Sequence, residues 1–248
     1  MNDSLAGKTA LITGGARRVG AAIARRLHAA GANVLLHYRD SQAEAAKLAA
    51  ELNALRAKSA ATVKAELLAP IAPRALVTAA RQEFGRLDIL VNNASSFFAV
   101  EIGAIESSHW EELIGSNLRA PLFICQEAVP ELAANEGSIV NIVDIHAERP
   151  LKGYAVYTIA KAGLAALTRS LALELAPRVR VNGVAPGAIA WPDDGQFNEG
   201  ERARILATTP LGRTGSPEDI AQAVHFLACA PYVTGQVIAV DGGRSIFI

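Results

Sequence analysis

The sequence contains little cysteine and no excess of charge of either sign. Its 248 residues include two cysteines, Cys125 and Cys229, and 24 basic residues balance 24 acidic ones. Two cysteines far apart in apolar helical patterns favour buried thiols in a reducing compartment over a disulfide or a metal site. Basic runs do not exceed pairs such as Arg25-Arg26, so the charge pattern of a nucleic-acid-binding protein is missing. We therefore expect small molecules, or further copies of this chain, as partners.

Long apolar runs are also missing. No uninterrupted apolar stretch approaches the roughly 18 to 20 residues of a membrane span, and the N-terminus lacks a basic region followed by an apolar core. We therefore expect a cytoplasmic protein that does not enter a membrane. The sequence shows neither repeats nor a low-complexity linker, and its length suits one α/β domain over residues 1–248.

Short apolar runs alternate with longer segments of helical periodicity, which favours βαβ units and a parallel sheet covered on both faces. The predicted strands are Thr9–Thr13, Asn33–His37, Ala61–Lys64, Asp88–Asn92, Ser138–Val143, Val179–Val184 and Val237–Val240. Helices are expected between them. Ser41 with Glu44 predicts a capping box, and Ser216-Pro217 predicts a helix start. Two long irregular stretches remain, 95–106 and 186–216, and long loops in such folds are often functional.

Tyr157 and Lys161 stand four residues apart at the start of an alanine- and leucine-rich segment. On a helix they share one face, separated by about 40° and roughly 6 Å along the axis. A phenol has an ordinary pKa of about 10, and a neighbouring ammonium favours its phenolate form. The pair therefore suits proton donation, although a Tyr and a Lys also meet at this spacing by chance.

A glycine-containing loop, Gly14 to Gly20, follows the first strand and opens the first helix. A dinucleotide diphosphate binds at such a position, where backbone N–H groups and the positive helix end meet it. Many strand-to-helix turns need glycine only for their backbone conformation, so the loop alone is a weak signal. At the end of the second strand stand Tyr38 and Arg39, and a cation there suits a 2′-phosphate. Asp40 adds an opposing charge one position on.

These pieces recur together in one known family. The chain resembles the short-chain dehydrogenase/reductase family over nearly its whole length, in the order and approximate spacing of five motifs. The motifs are Thr13-Gly14 with Gly20, Asn92-Asn93-Ala94, Asn117, Tyr157 with Lys161, and Pro186-Gly187. The resemblance implies a doubly wound Rossmann-type fold with a seven-stranded parallel sheet and a nicotinamide cofactor at the carboxyl ends of the strands.

Within that family the chain is most similar to pteridine reductases. The matching segments are Thr13 to Gly20, His37-Tyr38-Arg39, Asn92 to Phe97, and Asp144. Asp144 stands thirteen residues before Tyr157, where most of the family has a catalytic Ser and the pteridine reductases have Asp. Arg18 replaces the family's middle glycine, which implies a guanidinium that faces both phosphate and substrate. A solvated surface Arg is the alternative.

The resemblance implies the remaining assignments residue by residue. The cofactor-binding residues that we predict are Gly14, Arg17, Arg18, Val19, Gly20, Tyr38, Arg39, Glu66, Asn93, Ala94, Ser95, Tyr157, Lys161, Pro186 and Gly187. The substrate-binding residues that we predict are Arg18, Phe97, Asp144, Tyr157 and Trp191. The catalytic residues that we predict are Asp144, Tyr157, Lys161 and Asn117.

Several of these assignments carry alternatives. Glu66 can be a solvated surface residue, and Asn117 can be a buried residue with a structural use. Phe97 is expected opposite the nicotinamide, but adjacent aromatics such as Phe97 and Phe98 often belong to a core. Trp191 begins a stretch, 191–195, that we expect to be a mobile substrate loop, although a Trp that anchors the loop is an equal alternative. The family's Thr near position 190 is absent, which puts that nicotinamide contact in doubt. His146 is a weaker candidate for substrate contact, and His37 receives no catalytic role.

The activity implied is NADPH-dependent reduction of a pterin, with dihydrofolate as a further substrate class. Tyr157 would donate the proton, and Asp144 would orient Tyr157 or share its proton. Lys161 would hold the nicotinamide ribose and lower the Tyr157 pKa, and Asn117 would connect the proton relay. One alternative is a carbonyl or 3-oxoacyl reductase of the same family. Another is a non-catalytic NADPH-binding sensor. The resemblance to tetrameric relatives, and a helix with apolar residues on more than one face, predict a homotetramer.

Overall fold

The computed structural model describes residues 4–191 and 198–248. It contains a seven-stranded, all-parallel sheet in the order β3-β2-β1-β4-β5-β6-β7. The strands are β1 Thr9–Ile12, β2 Asn33–Tyr38, β3 Ala60–Lys64, β4 Ile89–Asn92, β5 Ser138–Ile142, β6 Arg180–Pro186 and β7 Val237–Val240. All seven predicted strands are present, and the predicted fold class is confirmed.

Eight α-helices connect the strands within the described residues. They are α1 Arg18–Ala29, α2 Gln42–Leu55, α3 Ala72–Phe84, α4 Ser107–Ile114, α5 Ala120–Ala134, α6 Ala155–Leu175, α7 Glu199–Ala207 and α8 Pro217–Cys229. Helix α7 corrects the prediction that 186–216 is irregular throughout. The helix is only nine residues long and none of its residues is fully buried, so no apolar periodicity marks it in the sequence.

Alternate residues of the central strands face two separate cores. In β1, Ala10 and Ile12 belong to a core with α1 and α8, whereas Leu11 faces a second core with α3 and α5. Burial on both faces explains why these strands are continuously apolar rather than alternating.

The direction in which successive strands are added to the sheet changes between β1 and β4, which are parallel neighbours. From β1 the order runs through β2 to β3 on one side, and β4 begins the run through β7 on the other. The loops after β1 and β4 therefore leave the sheet in opposite directions and open a crevice at its carboxyl edge, which is where open α/β sheets bind ligands.

Of the two predicted helix starts, the one at Ser216 is confirmed and the capping box at Ser41 is not. Ser216 accepts a hydrogen bond from Asp219 N–H with Pro217 in the first turn, as expected. The Ser41 capping box is wrong. Ser41 precedes α2 but its side chain caps no N–H among the described residues, and its backbone (φ −84°, ψ 54°) is not the extended form that capping needs. Glu44 instead lies 3.8 Å from Arg17.

Candidate active site

A cavity of about 560 Å³ occupies the crevice at the carboxyl edge of the sheet. Every predicted site residue except Asn117 lines it, including residues separated by more than 170 positions in sequence such as Gly14 and Pro186. No group of three metal-ligating side chains occurs in 4–191 or 198–248, and no helix in those ranges has the length and apolarity to cross a membrane.

The loop from Gly14 to Gly20 forms one wall of the cavity. Gly14 has φ 61°, a conformation that favours glycine. A Cβ on Gly20 would lie 2.1 Å from the Gly14 carbonyl oxygen, so only glycine allows this tight turn. Asn93 braces the loop from the end of β4, because its Nδ2 donates to the carbonyls of Thr13 and Gly14 at 2.9 and 3.0 Å. The loop therefore presents backbone and the start of α1 to the cavity.

Arg18 is the first residue of α1 and has φ 48°, unusual for a non-glycine residue. Its Nη2 donates to the Ala190 carbonyl at 2.7 Å. The guanidinium is thus held across the mouth of the cavity rather than being free in solvent.

Arg39 lies among three carboxylates. Its Nε donates to Asp40 Oδ2 at 2.9 Å, and its side chain lies 4.0 Å from Glu66 and 3.6 Å from Glu112. The Asp40 carboxylate therefore pairs with Arg39 in this arrangement. Both residues line the cavity, as does Arg17.

Tyr157, Asp144 and Lys161 meet on the floor of the cavity. The Tyr157 hydroxyl donates to Asp144 Oδ2 at 2.7 Å, and Asp144 Oδ1 accepts from the His146 N–H at 2.8 Å. Lys161 Nζ donates to the Ile142 carbonyl at 2.9 Å and lies 5.7 Å from the centre of the Tyr157 ring. The two side chains share a helix face, as their spacing predicts, and both are buried.

Burial, followed by the charge and hydrogen bond of Asp144, raises the pKa of Tyr157 well above its ordinary value. The expectation that Lys161 lowers this pKa is therefore wrong for this arrangement. Lys161 binds the Ile142 carbonyl, while the carboxylate holds the phenol proton directly. Tyr157 is a neutral phenol at physiological pH, which is the form that a proton donor needs.

Burial lowers the pKa of Lys161 to about 8, against the opposing attraction of Asp144. Its ammonium is thus close to losing its proton near neutral pH, and small changes in surrounding charge alter its protonation.

Asn117 lies in a π-helical turn, Gly115–Arg119, between α4 and α5. Its Nδ2 donates to the carbonyls of Ser96 and Leu113, and its buried Oδ1 has no hydrogen-bond partner among the described residues. Asn117 does not line the cavity, and its predicted link to Lys161 through a water stays a prediction. Such turns often occur at functional sites, and a buried oxygen without a protein partner is a candidate for binding a water.

Phe97 lines the cavity, whereas Phe98 packs in a small core beside it with Leu113. The Phe97 ring stacks on Tyr154 at 4.6 Å with 15° between the planes, and meets Tyr157 edge-on at 4.8 Å. Phe97 packs against the same core as Phe98, and of the two only Phe97 also lines the cavity. Its position opposite the nicotinamide stays a prediction.

Trp191, Pro186 and Gly187 line the side of the cavity that follows β6. The Arg202 guanidinium lies 5.4 Å from the centre of the Trp191 ring, which anchors Trp191 to α7. The rest of the predicted substrate loop, residues 192–195, lies outside the described residues.

The structure adds residues that sequence reasoning missed. Glu112, from α4, reaches the cavity and hydrogen-bonds to Ser96 as well as approaching Arg39. Arg244 brings a cation from the C-terminal turn. His37, at the end of β2, also lines the cavity. No local pattern marks Glu112 or Arg244, because each arrives through packing of distant elements.

The geometry suits proton donation beside a bound planar group. A buried neutral phenol, a carboxylate and an ammonium meet within one pocket, next to an aromatic wall and a loop that exposes backbone N–H groups. This is the arrangement of a nucleotide-dependent oxidoreductase.

Comparison with known proteins decides the family. A family model described as enoyl-(acyl carrier protein) reductase, of the short-chain dehydrogenase/reductase type, matches residues 14–245. The chain belongs to the short-chain dehydrogenase/reductase family. It is thus an oxidoreductase, which confirms the expectation of an enzyme and sets aside the non-catalytic sensor.

Individual relatives differ in their substrates. The chain is 42% identical to pteridine reductase 1 of Leishmania tarentolae over 99% of both chains. It is 37% identical to 3beta-hydroxysteroid dehydrogenase 1 of Eggerthella lenta, over 100% of this chain and 97% of that one. It is 35% identical to the 3-oxoacyl-(acyl-carrier-protein) reductase FabG of Staphylococcus aureus, over 95% and 97%.

Short-chain dehydrogenase/reductases of this fold bind a nicotinamide cofactor. The cavity fits such a group: Gly14 and Gly20 leave the loop backbone accessible, a Cβ at Gly14 would lie 3.1 Å from Ala94, and the volume lies within the usual range of ligand sites.

Proposed function

We propose that this protein is an NADPH-dependent pteridine reductase. The observation that carries the proposal is the hydrogen bond of 2.7 Å between the Tyr157 hydroxyl and the Asp144 carboxylate, in the place where most of the family has a serine hydroxyl. The 42% identity to a pteridine reductase supports it.

The roles proposed for the residues follow from their positions. NADPH, when bound, supplies the hydride that is added to a ring carbon of an oxidised pterin or dihydropterin. Tyr157 donates a proton to a ring nitrogen, so that the ring gains a hydride and a proton together. Asp144 orients the phenol and accepts from N–H or amino donors of the ring. Lys161 holds the nicotinamide ribose, and Asn117 binds a water that links Lys161 to solvent.

Phe97 and Arg18 are proposed to select a flat ligand. Phe97 forms one wall for a heteroaromatic ring, which gains roughly 0.5 to 1.5 kcal/mol from stacking beyond its buried area. Arg18 donates to an oxygen or nitrogen at the ring edge once it leaves the Ala190 carbonyl.

The proposed preference for NADPH rests on Arg39 and Arg17, which line the cavity where the adenosine ribose is expected. A 2′-phosphate would compete with Asp40, Glu66 and Glu112 for the Arg39 guanidinium. Charge-assisted bonds to phosphate are strong enough for that exchange. We expect a higher kcat/KM with NADPH than with NADH, and Arg39→Leu should remove most of the difference.

A carbonyl or 3-oxoacyl reductase is the second candidate, favoured by the 35% identity to a 3-oxoacyl reductase. Negative charge develops on a ketone oxygen during hydride addition, and the Asp144 carboxylate beside Tyr157 would oppose it. For this reason we favour the pterin.

As part of the same proposal the enzyme acts in the cytoplasm as a homotetramer. Neither Cys125 nor Cys229 forms a disulfide, and Cys125 is fully buried, which suits a reducing compartment.

The test is NADPH consumption with a panel of oxidised pterins, dihydrobiopterin, dihydrofolate and acetoacetyl thioesters. We expect turnover with one or more pterins, and its loss in Asp144→Ser. Glu148→Gln, which removes a carboxylate four residues along the same segment but outside the cavity, is the matched control. Efficient reduction of acetoacetyl thioesters with no response to any pterin or folate would overturn the substrate assignment.

A further inference from the structure

The side chain of His37 connects two segments of the cavity wall. Its Nδ1 lies 3.1 Å from the backbone nitrogen of Gly14, and its Nε2 lies 3.1 Å from the carbonyl oxygen of Ala65. Gly14 opens the glycine loop after β1, and Ala65 follows β3 directly before Glu66. The imidazole is buried, with 2% of its surface exposed.

The two partners determine the protonation state of the ring. The Gly14 N–H is a donor, so Nδ1 must carry a lone pair. The Ala65 carbonyl is an acceptor, so Nε2 must carry the proton. His37 is therefore a neutral imidazole with its proton on Nε2. Protonation of Nδ1 would place a second N–H directly opposite the Gly14 N–H and break that hydrogen bond.

Backbone contacts at the same residue strengthen the connection. The His37 carbonyl accepts from the Gly15 N–H at 2.9 Å, next to the bond that its side chain makes with Gly14. One residue thus holds two successive N–H groups of the loop in place.

We propose that neutral His37 is a positioning residue for the cofactor: it holds the Gly14 loop and the end of β3 at the separation that dinucleotide binding needs, and its protonation weakens that binding. The inference rests on the proposed binding of the cofactor diphosphate to the Gly14–Gly20 loop. It does not depend on which substrate is reduced.

The charges around His37 permit this behaviour. Desolvation by burial lowers its pKa, the hydrogen bond to Ala65 and the charge of Glu66 raise it, and the desolvation effect is the larger. The other charged groups that line the same cavity wall are Arg17 and Arg18 from the loop, Arg39 and Asp40 after β2, and Glu112 from α4. The ring is thus neutral at physiological pH and gains a proton only in acid.

The first test measures the Kd of NADPH and of NADH by fluorescence in His37→Phe, which keeps a ring and loses both hydrogen bonds. We expect both Kd values to rise about fivefold or more, because the loop serves both cofactors, while kcat at saturating cofactor changes less than about twofold. His37→Asn, whose amide oxygen lies close to the position of Nδ1, should recover part of the affinity.

His28→Asn is the matched control. His28 is also buried and bonds to Ser59, but near the opposite, amino edge of the sheet and outside the cavity. It should lower the melting temperature without changing either Kd. A Kd in His37→Phe within twofold of the wild-type value would overturn the proposal, even if that variant melts at a lower temperature.

If His37→Phe does not fold, the pH dependence of NADP⁺ binding decides. Calorimetry between pH 8 and pH 4.5 should show the wild-type Kd rising at least about fivefold more than that of His37→Asn, which cannot be protonated in this range. The cofactor phosphate titrates equally for both proteins. Parallel curves would overturn the proposal. A wild type that binds neither cofactor would instead overturn the cofactor assignment on which the proposed function also depends.

Discussion

A buried phenol that donates to a half-buried carboxylate keeps its proton, and in this site that phenol is Tyr157. Neighbouring Asp144 raises the energy of the phenolate, and burial removes the water that would stabilise it. Proton transfer from Tyr157 is therefore favourable only as the ring nitrogen of a substrate becomes basic during hydride addition. The same geometry that disfavours free phenolate couples the proton to the reaction.

Tyr157→Phe removes only the hydroxyl of this residue and leaves the ring. We expect turnover to fall by about 10² to 10⁴ while the Kd of NADPH changes little, because a general acid contributes about that factor. Single-turnover kinetics and fluorescence titration measure the two effects. Tyr232→Phe, at a fully exposed tyrosine, is the control. Turnover close to the wild-type rate in Tyr157→Phe would refute the assignment of the proton donor.

The buried Lys161 ammonium leads to a prediction about how the free energy of unfolding depends on pH. Its pKa is about 8 in the folded protein and 10.5 without the protein environment. Between these values the unfolded chain binds more protons than the folded one, so the free energy of unfolding rises with pH in this window. The raised pKa of Cys125, from 9.0 to about 12, acts in the opposite direction from about pH 9, and that of Tyr157 does so above pH 10. The contribution of Lys161 is therefore measured as a difference from a variant that lacks the ammonium.

We expect Lys161→Met to remove this contribution, of at most about 1.4 kcal/mol per pH unit. Urea unfolding at pH 8, 9 and 10, at one protein concentration, measures it. Lys64→Met, at an exposed lysine, should keep the wild-type slope. Equal slopes in the wild type and Lys161→Met would show that the Lys161 ammonium is not desolvated as its burial implies.

At the scale of the elements, the loop after β4 contains two adjacent aromatics with different surroundings. Phe97 lines the cavity and stacks on Tyr154, while Phe98 contacts His109 of α4 edge-on at 6.0 Å. Loops placed at the edge of a rigid sheet commonly divide in this way between packing and binding.

The loop supplies its own matched pair of variants. Phe97→Ala should raise the KM for dihydrobiopterin about tenfold, because the stacking surface is lost, with little change in the KM for NADPH. Phe98→Ala should lower the melting temperature and leave the KM for dihydrobiopterin within about twofold. Steady-state kinetics and thermal melts distinguish the two. A larger KM effect from Phe98 than from Phe97 would exchange their assigned roles.

Helix α6 shows how far an apolar pattern predicts burial. The sequence predicts that Leu164, Leu167, Leu171 and Leu175 form the stripe that faces the chain's own core. Leu164 is buried, Leu167, Leu171 and Leu175 are partly buried against the cores, and Thr168 and Ala172 are buried beside them. Packing against a close neighbouring sheet favours small residues, so the longer leucines lie at the margin of the contact.

At the scale of the whole molecule, apolar side chains are exposed on two adjacent helices. Leu122 and Phe123 of α5, and Ile159 and Leu173 of α6, are exposed although they are large and apolar. The C-terminal turn exposes Ile246 and Phe247 at another place. Surfaces of this kind usually mark contacts with other proteins.

We expect light scattering to report a tetramer at micromolar concentration, and Leu173→Arg to reduce the measured mass, because a buried unpaired charge opposes association. Leu55→Arg, at a similarly exposed leucine on α2, should leave the mass unchanged. A stable wild-type monomer would refute the predicted assembly.

The seven strands and the candidate site residues in continuous motifs could be predicted from the amino-acid sequence alone. The apolar runs of buried parallel strands, the glycines of the loop after β1, and Tyr157 four residues before Lys161 all act over short distances along the chain. Such patterns carry their physical cause locally, since a helix or a strand determines which residues share a face.

The contacts that determine the chemistry of the site appear only in the folded structure. The hydrogen bond from Arg18 to Ala190 spans 172 residues, and the one between Gly14 and His37 spans 23. Glu112, on helix α4, lies 3.6 Å from Arg39, which follows strand β2. The pKa of Lys161 depends on burial by elements distant in sequence. Desolvation and pairing of charges depend on distances in space, and those distances exist only once the sheet and its helices have packed.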